Sequence, residues 1–342
     1  MQTKWTKMAV LVLVVAGLLL SGCRGVRTEV RKTEFMMDTA VTITAYGPRA
    51  EQAVAAAFAE MRRVAALMNA DDPDSEVSLI NRNAGLEPVR VSSETFELLE
   101  LCQHYSELAA GAFDVTVRPL VELWGIGKKD KYVPSPEEIE RALQLVDYRK
   151  VILDQNTKTV FLPVPGMGVD LGGAAKGYAA DRAREILKEH GVRSALIDAG
   201  GNIWTVGIRP DGRKWRIGIR HPRPEVAGGV LAVLPSQDLT LVTSGDYERY
   251  FLKYGTRYHH IFDPHTGLPA RELVSATIIG NNSAEADILS TAVFVLGADR
   301  GLALTNQLPH ITTVVVTPKL QVLTAGSHET ELELVYKEGE DQ

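Results

Sequence analysis

The sequence has little cysteine and no concentrated positive charge. Only 2 of its 342 residues are cysteine, and 37 Lys and Arg against 43 Asp and Glu give a net charge of -6 at pH 7. An acidic chain without a Lys/Arg block argues against a nucleic-acid partner. The chain also lacks internal repeats and low-complexity segments, so nothing in it indicates a repeat architecture. With 45% hydrophobic residues it can bury a large core, as one big domain or two interlocked lobes.

The first 22 residues have the features of a signal peptide. Lys4 and Lys7 are followed by an apolar run, Met8 to Leu20, which is too short for a comfortable membrane span. The run ends in Leu20-Ser21-Gly22-Cys23, which resembles the bacterial lipoprotein box. We therefore expect cleavage before a lipidated Cys23 and anchoring on the outer (extracytoplasmic or periplasmic) face of a membrane. An uncleaved anchor with an incidental cysteine is the alternative.

The remaining chain is expected to be a tether, residues 23–32, followed by a single domain, residues 33–337. Cys102 lies in the apolar helical stretch Phe96 to Leu108. With Cys23 lipidated it has no partner, so a disulfide framework is excluded and a buried, inert thiol is expected.

The pattern of apolar residues predicts helices and strands in mixed order. Helices are expected over Ala50 to Met68, from Ser92 to Gly111, from Ser135, over Lys176 to His190 and over Ser283 to Leu296. We also expect one strand from Thr33 to Tyr46, a polar loop from Asp71 to Gly85 and a strand from Gly168 to Leu171. This order favours an α+β fold of mixed, mostly antiparallel sheets flanked by helices over a regular parallel wind.

Two neighbouring polar segments are the most informative part of the chain. They are Thr243 to Arg249 and His259 to Gly267, which place an arginine, the two adjacent histidines His259 and His260, and Asp263 among turn-forming residues. Turn residues fix the backbone, histidine is the usual proton shuttle near neutral pH, and arginine is the usual anion ligand. The competing interpretation is an exposed β-hairpin with a polar tip.

A glycine-rich turn, Asp170 to Gly177, lies between an apolar segment and a helix. Backbone N–H groups there can approach an anion at a helix N-terminus, and Lys176 adds a point charge. The spacing fits neither a Walker loop nor a dinucleotide fingerprint. A simple strand-to-helix turn remains the alternative.

Asp287 and Thr291 are four residues apart on a predicted helix and share one face. A carboxylate beside a hydroxyl suits Mg2+, which takes few protein oxygens. A solvated helix face is the alternative, but apolar neighbours such as Ile288 and Leu289 weaken it, because an Asp among them needs a partner.

Two shorter motifs permit two interpretations each. Asp114, between apolar residues, is either an Asx-type cap or a hydrogen-bond acceptor for a ligand. The glycine pair in Asp198-Ala199-Gly200-Gly201-Asn202 is interpreted as a turn or bulge, and a backbone that faces a ligand is the alternative.

These segments, in this order, resemble the ApbE family of flavin transferases over nearly the whole mature chain. The motifs that carry the resemblance are Met37-Asp38-Thr39, Asp74 to Ser78, Gly111 to Gly127 with Leu123-Trp124-Gly125, Asp170 to Gly177, Ala199-Gly200-Gly201, Thr243 to Arg249, His260 to Gly267 and Ala286-Asp287. Each motif alone is weak, whereas eight in the family's order are specific.

The resemblance implies a Mg2+-dependent enzyme that splits FAD and transfers FMN through a phosphoester to a Thr or Ser of a partner protein, releasing AMP. The expected partners are exported flavoprotein subunits of redox pumps. An outer-face lipoprotein would be in the right place to meet them.

The resemblance also assigns roles to individual residues. The carbonyl of Gly173 and the side chains of Asp287 and Thr291 correspond to the metal ligands, and His260 corresponds to the base for the incoming hydroxyl. Asp263 is expected to orient that imidazole or the flavin. The expected FAD-binding residues are Met37, Asp114, Lys176, Arg249 and His260.

The chain departs from the family pattern at two positions. Many relatives have Gly where this chain has Asp38, and a loop Tyr that covers the adenine corresponds to Asp71, which cannot stack on a base. An open adenine site would let water compete with the acceptor, so FAD pyrophosphatase activity is one alternative function. A flavin-binding lipoprotein without turnover is the other.

Overall fold

The computed structural model describes residues 28–127, 131–223, 229–326 and 331–335. The expected signal peptide, Cys23 and the first residues of the tether lie outside these described residues.

Within these ranges the helices alternate with strands in the mixed order that the sequence predicts. The helices are α1 (Ala50–Met68), α2 (Glu76–Arg82), α3 (Ser93–Leu108), α4 (Arg118–Trp124), α5 (Pro136–Leu143), α6 (Ala175–Glu189) and α7 (Ser283–Thr305). The strands are β1 (Glu29–Met36), β2 (Thr39–Tyr46), β3 (Val89–Arg90), β4 (Ile152–Asp154), β5 (Thr159–Phe161), β6 (Ser194–Ala199), β7 (Asn202–Gly207), β8 (Trp215–Arg220), β9 (Val230–Ser236), β10 (Thr240–Gly245), β11 (Tyr250–Lys253), β12 (Thr256–His259), β13 (Ser275–Gly280), β14 (Thr312–Val316), β15 (Val322–Gly326) and β16 (Glu333–Leu334).

An eight-stranded sheet organises the molecule, in the order β1-β2-β6-β7-β10-β13-β14-β15. Every neighbouring pair in it is antiparallel. Two three-stranded sheets (β16-β9-β8 and β3-β5-β4) and the hairpin β11-β12 complete the β structure of the described residues. The expected α+β class with mostly antiparallel sheets is confirmed.

Both faces of the large sheet are covered. Successive side chains of a strand point to opposite faces, and β13 follows this rule: Ala276 and Ile278 join the main core with the helices, whereas Ile279 joins a second core. That second core includes residues of β8 and β9, such as Ile217 and Leu234. The helices therefore cover one face of the large sheet, and the three-stranded sheet β16-β9-β8 covers the other.

Helix α7 is the apolar helix of the main core. It is the described helix with the length and hydropathy to cross a membrane, but 56% of that window is buried inside the protein. It packs against α6 and against strands β10 and β13. Its first segment ends at Gly297, where φ is 81° and the helix kinks.

Local capping explains several helix starts. Ser92 accepts a hydrogen bond from the backbone N–H of Thr95 at the start of α3. Ser135 and Glu138 form a capping box at α5, with Pro136 in the first turn. The expected starts at Ser92 and Ser135, and the helix Ala50–Met68, are confirmed.

Three local expectations are wrong, and one helix was not expected. The single strand Thr33 to Tyr46 is the hairpin β1-β2, which turns at Met37 and Asp38. The polar loop Asp71 to Gly85 contains α2, whose N-cap is Ser75. Residues 168–171 form no strand in the described structure, since Asp170 makes one backbone bond, to Val115, and then turns through Gly172. Helix α4, with Pro119 in its first turn, was not expected.

Candidate functional site

The turn that leads into α6 brings Gly173 and Lys176 against α7. Asp170 Oδ1 accepts a hydrogen bond from Gly172 N at 2.9 Å, and Lys176 Nζ donates to Gly172 O at 3.0 Å. A Cβ at Gly173 would lie 3.4 Å from Thr291 Oγ1 and 3.1 Å from the Phe113 ring. The glycine thus allows the turn to approach α7 closely.

Asp287 is 3% exposed and lies between α7 and the start of α6. Its Oδ2 accepts from Gly177 N at 3.0 Å, and its Oδ1 lies 3.7 Å from Lys176 Nζ. Burying a carboxylate requires such partners. The alternative of a solvated helix face is therefore excluded.

A small group of hydroxyls continues the site from Asp287. Thr291 Oγ1 lies 3.4 Å from Asp287 O and 3.4 Å from Ser244 Oγ, and Ser244 Oγ lies 2.8 Å from Ser290 Oγ. Ser244 is at the end of β10, inside the segment Thr243 to Arg249, but the sequence assigned it no role of its own. Its position beside Thr291 follows from strand pairing, which composition does not reveal.

The oxygen donors here fit a hard cation. A carboxylate (Asp287), a hydroxyl (Thr291) and the neighbouring backbone of Gly173 form an all-oxygen set, the kind that Mg2+ prefers while keeping several waters. Among the described residues no group of three or more His, Cys, Asp or Glu could hold a metal. The site thus suits a metal shared with a substrate phosphate better than a fully protein-bound ion.

His260 follows β12 and is held by the backbone of Arg249. Its N–H donates to Arg249 O at 3.1 Å, and its Nδ1 lies 3.3 Å from the same carbonyl oxygen. A carbonyl only accepts, so Nδ1 carries the proton and Nε2 presents its lone pair. Partial burial, followed by the charges of Arg249, His259 and Lys176, lowers the pKa of His260. The imidazole is therefore neutral at physiological pH, as a proton acceptor requires.

The neighbouring His259 has a structural role. It is 4% exposed, its Nε2 donates to Ala270 O at 2.7 Å, and its Nδ1 accepts from Ile261 N at 3.3 Å. Its ring meets Phe294 of α7 edge-on at 5.4 Å. Burial lowers the pKa of His259, and both ring nitrogens are already used by hydrogen bonds of the neutral form.

Asp263 is engaged in its own turn. Its Oδ1 accepts from His265 N at 2.9 Å and its Oδ2 from Thr266 Oγ1 at 3.2 Å. No hydrogen bond joins Asp263 to His260 in the part of the chain that the structure describes, where the Arg249 carbonyl orients the imidazole instead. A contact of Asp263 with the flavin stays a prediction.

Asp114 is an Asx-type residue in the structure. It is 6% exposed, and its Oδ1 accepts from Thr116 N at 2.7 Å and from Thr116 Oγ1 at 2.6 Å. Its Oδ2 accepts from Tyr148 N at 2.9 Å. Burial raises the pKa of Asp114 despite these bonds. Its expected contact with FAD stays a prediction.

The tip of the β1-β2 hairpin lies beside the His260 loop. Met37 and Asp38 both have positive φ, 50° and 58°, as in a two-residue type I′ turn. Asp38 Oδ2 lies 3.5 Å from Arg249 Nη1. The β6-β7 turn at Gly200 and Gly201 reaches the same place, since a Cβ at Gly200 would lie 2.0 Å from Thr39 Oγ1.

The loop residue Asp71 is held by Arg118. Arg118 Nη2 donates to Asp71 Oδ1 at 2.8 Å, and its Nη1 donates to Asp170 Oδ2 at 3.3 Å. The guanidinium therefore links this loop to the turn before α6, with acidic side chains on both sides.

These contacts place most of the residues singled out from the sequence in two groups, one around Asp287 and one around His260, and the charge of Lys176 acts on His260 across them. Lys176 meets Asp287, Gly173 meets Thr291, Arg249 holds His260, and Asp38 extends the group to the hairpin that carries Met37. The site combines cationic side chains, oxygen donors for a metal and a neutral imidazole. Such a set can bind a pyrophosphate and accept a proton from a hydroxyl.

Comparison with known proteins gives a consistent picture. The model of the ApbE family matches residues 37–315. A Klebsiella pneumoniae protein named FAD:protein FMN transferase is 38% identical over 270 residues, 79% of this chain and 83% of that protein. A Treponema pallidum protein of the same name is 35% identical over 334 residues, 92% of each chain.

Solved structures agree with these sequence matches. The crystal structure of the ApbE protein of Thermotoga maritima matches with a TM-score of 0.82 at 34% identity, over 89% of this chain and 99% of that one. The flavin transferase ApbE of Vibrio cholerae matches with a TM-score of 0.79 at 28% identity, over 88% and 97%.

Proposed function

Since the chain belongs to the ApbE family, we propose that it is an FAD:protein FMN transferase that requires Mg2+. It attaches FMN through a phosphoester to a Thr or Ser of an exported redox-pump subunit and releases AMP. One observation carries the proposal: the His260 imidazole, whose tautomer is fixed by Arg249 O, lies close enough to Lys176 to feel its charge, and Lys176 Nζ lies 3.7 Å from Asp287 of the Asp287-Thr291 donor pair.

The reaction is a phosphoryl transfer, which depends on positioning and charge neutralisation more than on covalent catalysis. The acceptor oxygen bonds to the phosphorus of the FMN half of FAD, the bond from that phosphorus to the AMP oxygen breaks, and AMP leaves. His260 Nε2 takes the proton of the acceptor hydroxyl. The tautomer fixed by Arg249 O directs that nitrogen's lone pair away from the backbone.

Positive side chains neutralise the pyrophosphate of the substrate. Lys176 Nζ lies at the N-terminal turn of α6, where backbone N–H groups also favour an anion. Arg249, whose guanidinium is half exposed and near Asp38, is available to a second phosphate oxygen. Asp287, Thr291 and the Gly173 carbonyl would hold Mg2+, which supplies further charge stabilisation to the phosphates when bound.

Hydrolysis of FAD to FMN and AMP is the second candidate activity. The observation that favours it is Asp71, an acidic side chain held by Arg118 where relatives of the family place a Tyr over the adenine. A carboxylate gives no stacking surface, so water has easier access to the phosphorus.

We also place the enzyme outside the cytoplasm, held to a membrane by a lipid on Cys23. The support is the sequence Leu20-Ser21-Gly22-Cys23 after a short apolar run. Metabolic labelling with a radioactive fatty acid tests it: wild type should be labelled and Cys23→Ser should not.

Replacing His260 by Ala tests the base directly. We expect FMN transfer to an acceptor peptide to fall by about 100-fold or more, within the range for loss of a general base, while the Kd for FAD changes little. Transfer is read by the mass of the peptide and FAD binding by flavin fluorescence. Wild-type transfer by His260→Ala would show that the base is another group.

A further inference from the structure

Helices α6 and α7 each cap the other at the candidate metal site. Asp181 of α6 accepts hydrogen bonds from the N–H groups of Ser283, at 3.0 and 2.9 Å, and of Ala284, at 2.9 Å. In return Asp287 of α7 accepts from Gly177 N of α6 at 3.0 Å. Each carboxylate thus binds backbone donors that the other helix leaves unsatisfied in its first turn.

The two halves of this arrangement match in spacing. Asp181 is four residues after Gly177, and Asp287 is four residues after Ser283, so each carboxylate lies one turn beyond the backbone group that its partner binds. Gly177 and Ser283 meet between them, where a Cβ at Gly177 would lie 2.1 Å from Ser283 O. Only glycine permits this approach, which sets the distance between the helices.

Asp181 is fixed from a third element as well. Its Oδ1 accepts from Trp204 Nε1 of β7 at 2.6 Å. It therefore ties α6 to both the sheet and the start of α7, and it touches neither Lys176 nor Asp287 in the described structure. A carboxylate whose position is fixed this thoroughly is suited to set the orientation of another group.

We propose that Asp181 is a positioning residue for the metal site: by fixing the start of α7 against α6, it holds the Asp287 carboxylate in its ligating orientation. The two carboxylate oxygens of Asp287 have different partners. Oδ2 is used by Gly177 N, which leaves Oδ1 on the side of Lys176. If α7 shifted along α6, the bond to Gly177 would break and that division would be lost. The inference rests on the proposed function only in that it takes Asp287 as a metal ligand.

The test is Mn2+ binding, measured by the EPR signal of the free ion, for the mature protein and for Asp181→Asn. Asparagine keeps the shape of the Asp181 side chain. It places an NH2 group or a weaker acceptor against the three N–H donors of Ser283, Ala284 and Trp204. We expect Mn2+ affinity to weaken by about tenfold, the lower end for loss of an orienting partner of a ligand, with FAD affinity measured without metal unchanged.

Tyr105→Phe is the matched control. Tyr105 OH donates to Glu285, which is also on α7 but is bonded on its other side to His310 Nε2 at 2.8 Å. This variant removes a buried hydrogen bond from the same helix and should keep wild-type Mn2+ affinity even where its melting temperature falls. If Asp181→Asn does not fold, Trp204→Phe, which removes the indole donor together with part of a buried ring, should weaken Mn2+ binding in the same direction.

Two results would overturn the inference in different ways. Equal Mn2+ affinities for wild type, Asp181→Asn and Tyr105→Phe would show that Asp181 only stabilises the fold. A wild-type protein that binds no Mn2+ but still transfers FMN would remove the metal assignment while leaving the transferase intact.

Discussion

At the scale of single residues, several side chains of the site are held by backbone groups. His260 is oriented by Arg249 O, Asp287 by Gly177 N and Asp114 by Thr116 N and Tyr148 N. Backbone partners are fixed by the fold, so the geometry is set before substrate binds. The consequences of changing single residues can therefore be stated individually.

Asp38 occupies a position that favours glycine. At φ 58° a Cβ is strained, and the exposed ion pair with Arg249 at 3.5 Å is weak. We expect Asp38→Gly to raise the free energy of unfolding by about 0.5–1 kcal/mol, measured by urea denaturation. Asp38→Asn, which keeps the Cβ but removes the charge, should stay near wild type; equal gains in both variants would mean that the charge, not the backbone, is unfavourable.

Asp71 is expected to control the fate of the FMN group. Asp71→Tyr should increase the ratio of peptide-bound to free FMN, because an aromatic ring can cover the adenine and exclude water. Asp71→Ala breaks the same ion pair with Arg118 without supplying a ring, so it is the control. An unchanged ratio in Asp71→Tyr would remove the basis for the hydrolase alternative.

At the scale of elements, the start of α7 is the most constrained part of the site. Its first N–H groups are bonded to Asp181 and to the Asn282 side chain, and its far end is released by the kink at Gly297. The rigid segment between them carries both proposed metal ligands.

The loop after β12 depends on a neutral His259. Protonation of Nδ1 would break its bond from Ile261 N, and both His259 and His260 have a lowered pKa in the folded state. Their contribution to stability is therefore fully present above a pH of about 6.5, the pKa of histidine in the unfolded chain. It is lost as the pH falls below that value.

Thermal unfolding between about pH 7.5 and about pH 5.5 checks this dependence. The free energy of unfolding should fall with pH by at most about 1.4 kcal/mol per pH unit for each histidine. His259→Gln should give a shallower slope because one of the two groups is gone. A steeper or unchanged slope in that variant would assign the acid sensitivity to other residues.

Local sequence patterns predicted the elements and residues whose structure is set by neighbours in the chain. The helix Ala50–Met68, the caps at Ser92 and Ser135 and the Asp287-Thr291 face could all be read from spacing. The turn at Met37-Asp38 could not, because alternation runs across it and neither residue is a glycine. Ser244 and Asp181 were also missed, since their roles arise from strand pairing and helix packing between distant segments.

At the scale of the whole molecule, the large antiparallel sheet brings together segments far apart in the chain. Asp38 at the hairpin tip contacts Arg249, the turn before α6 approaches Thr291 of α7, and Thr291 lies beside Ser244 at the end of β10. The three-stranded sheet β16-β9-β8 covers the other face of the large sheet.

We propose that this site splits FAD and passes FMN to a protein hydroxyl. The most direct measurement is AMP release from FAD by the soluble mature domain, with Mg2+ or EDTA and with or without a peptide that carries an acceptor Thr. We predict AMP only with Mg2+, together with a peptide that gains the mass of FMN. Bound FAD without AMP under any of these conditions would contradict the account and indicate a flavin-binding protein without turnover.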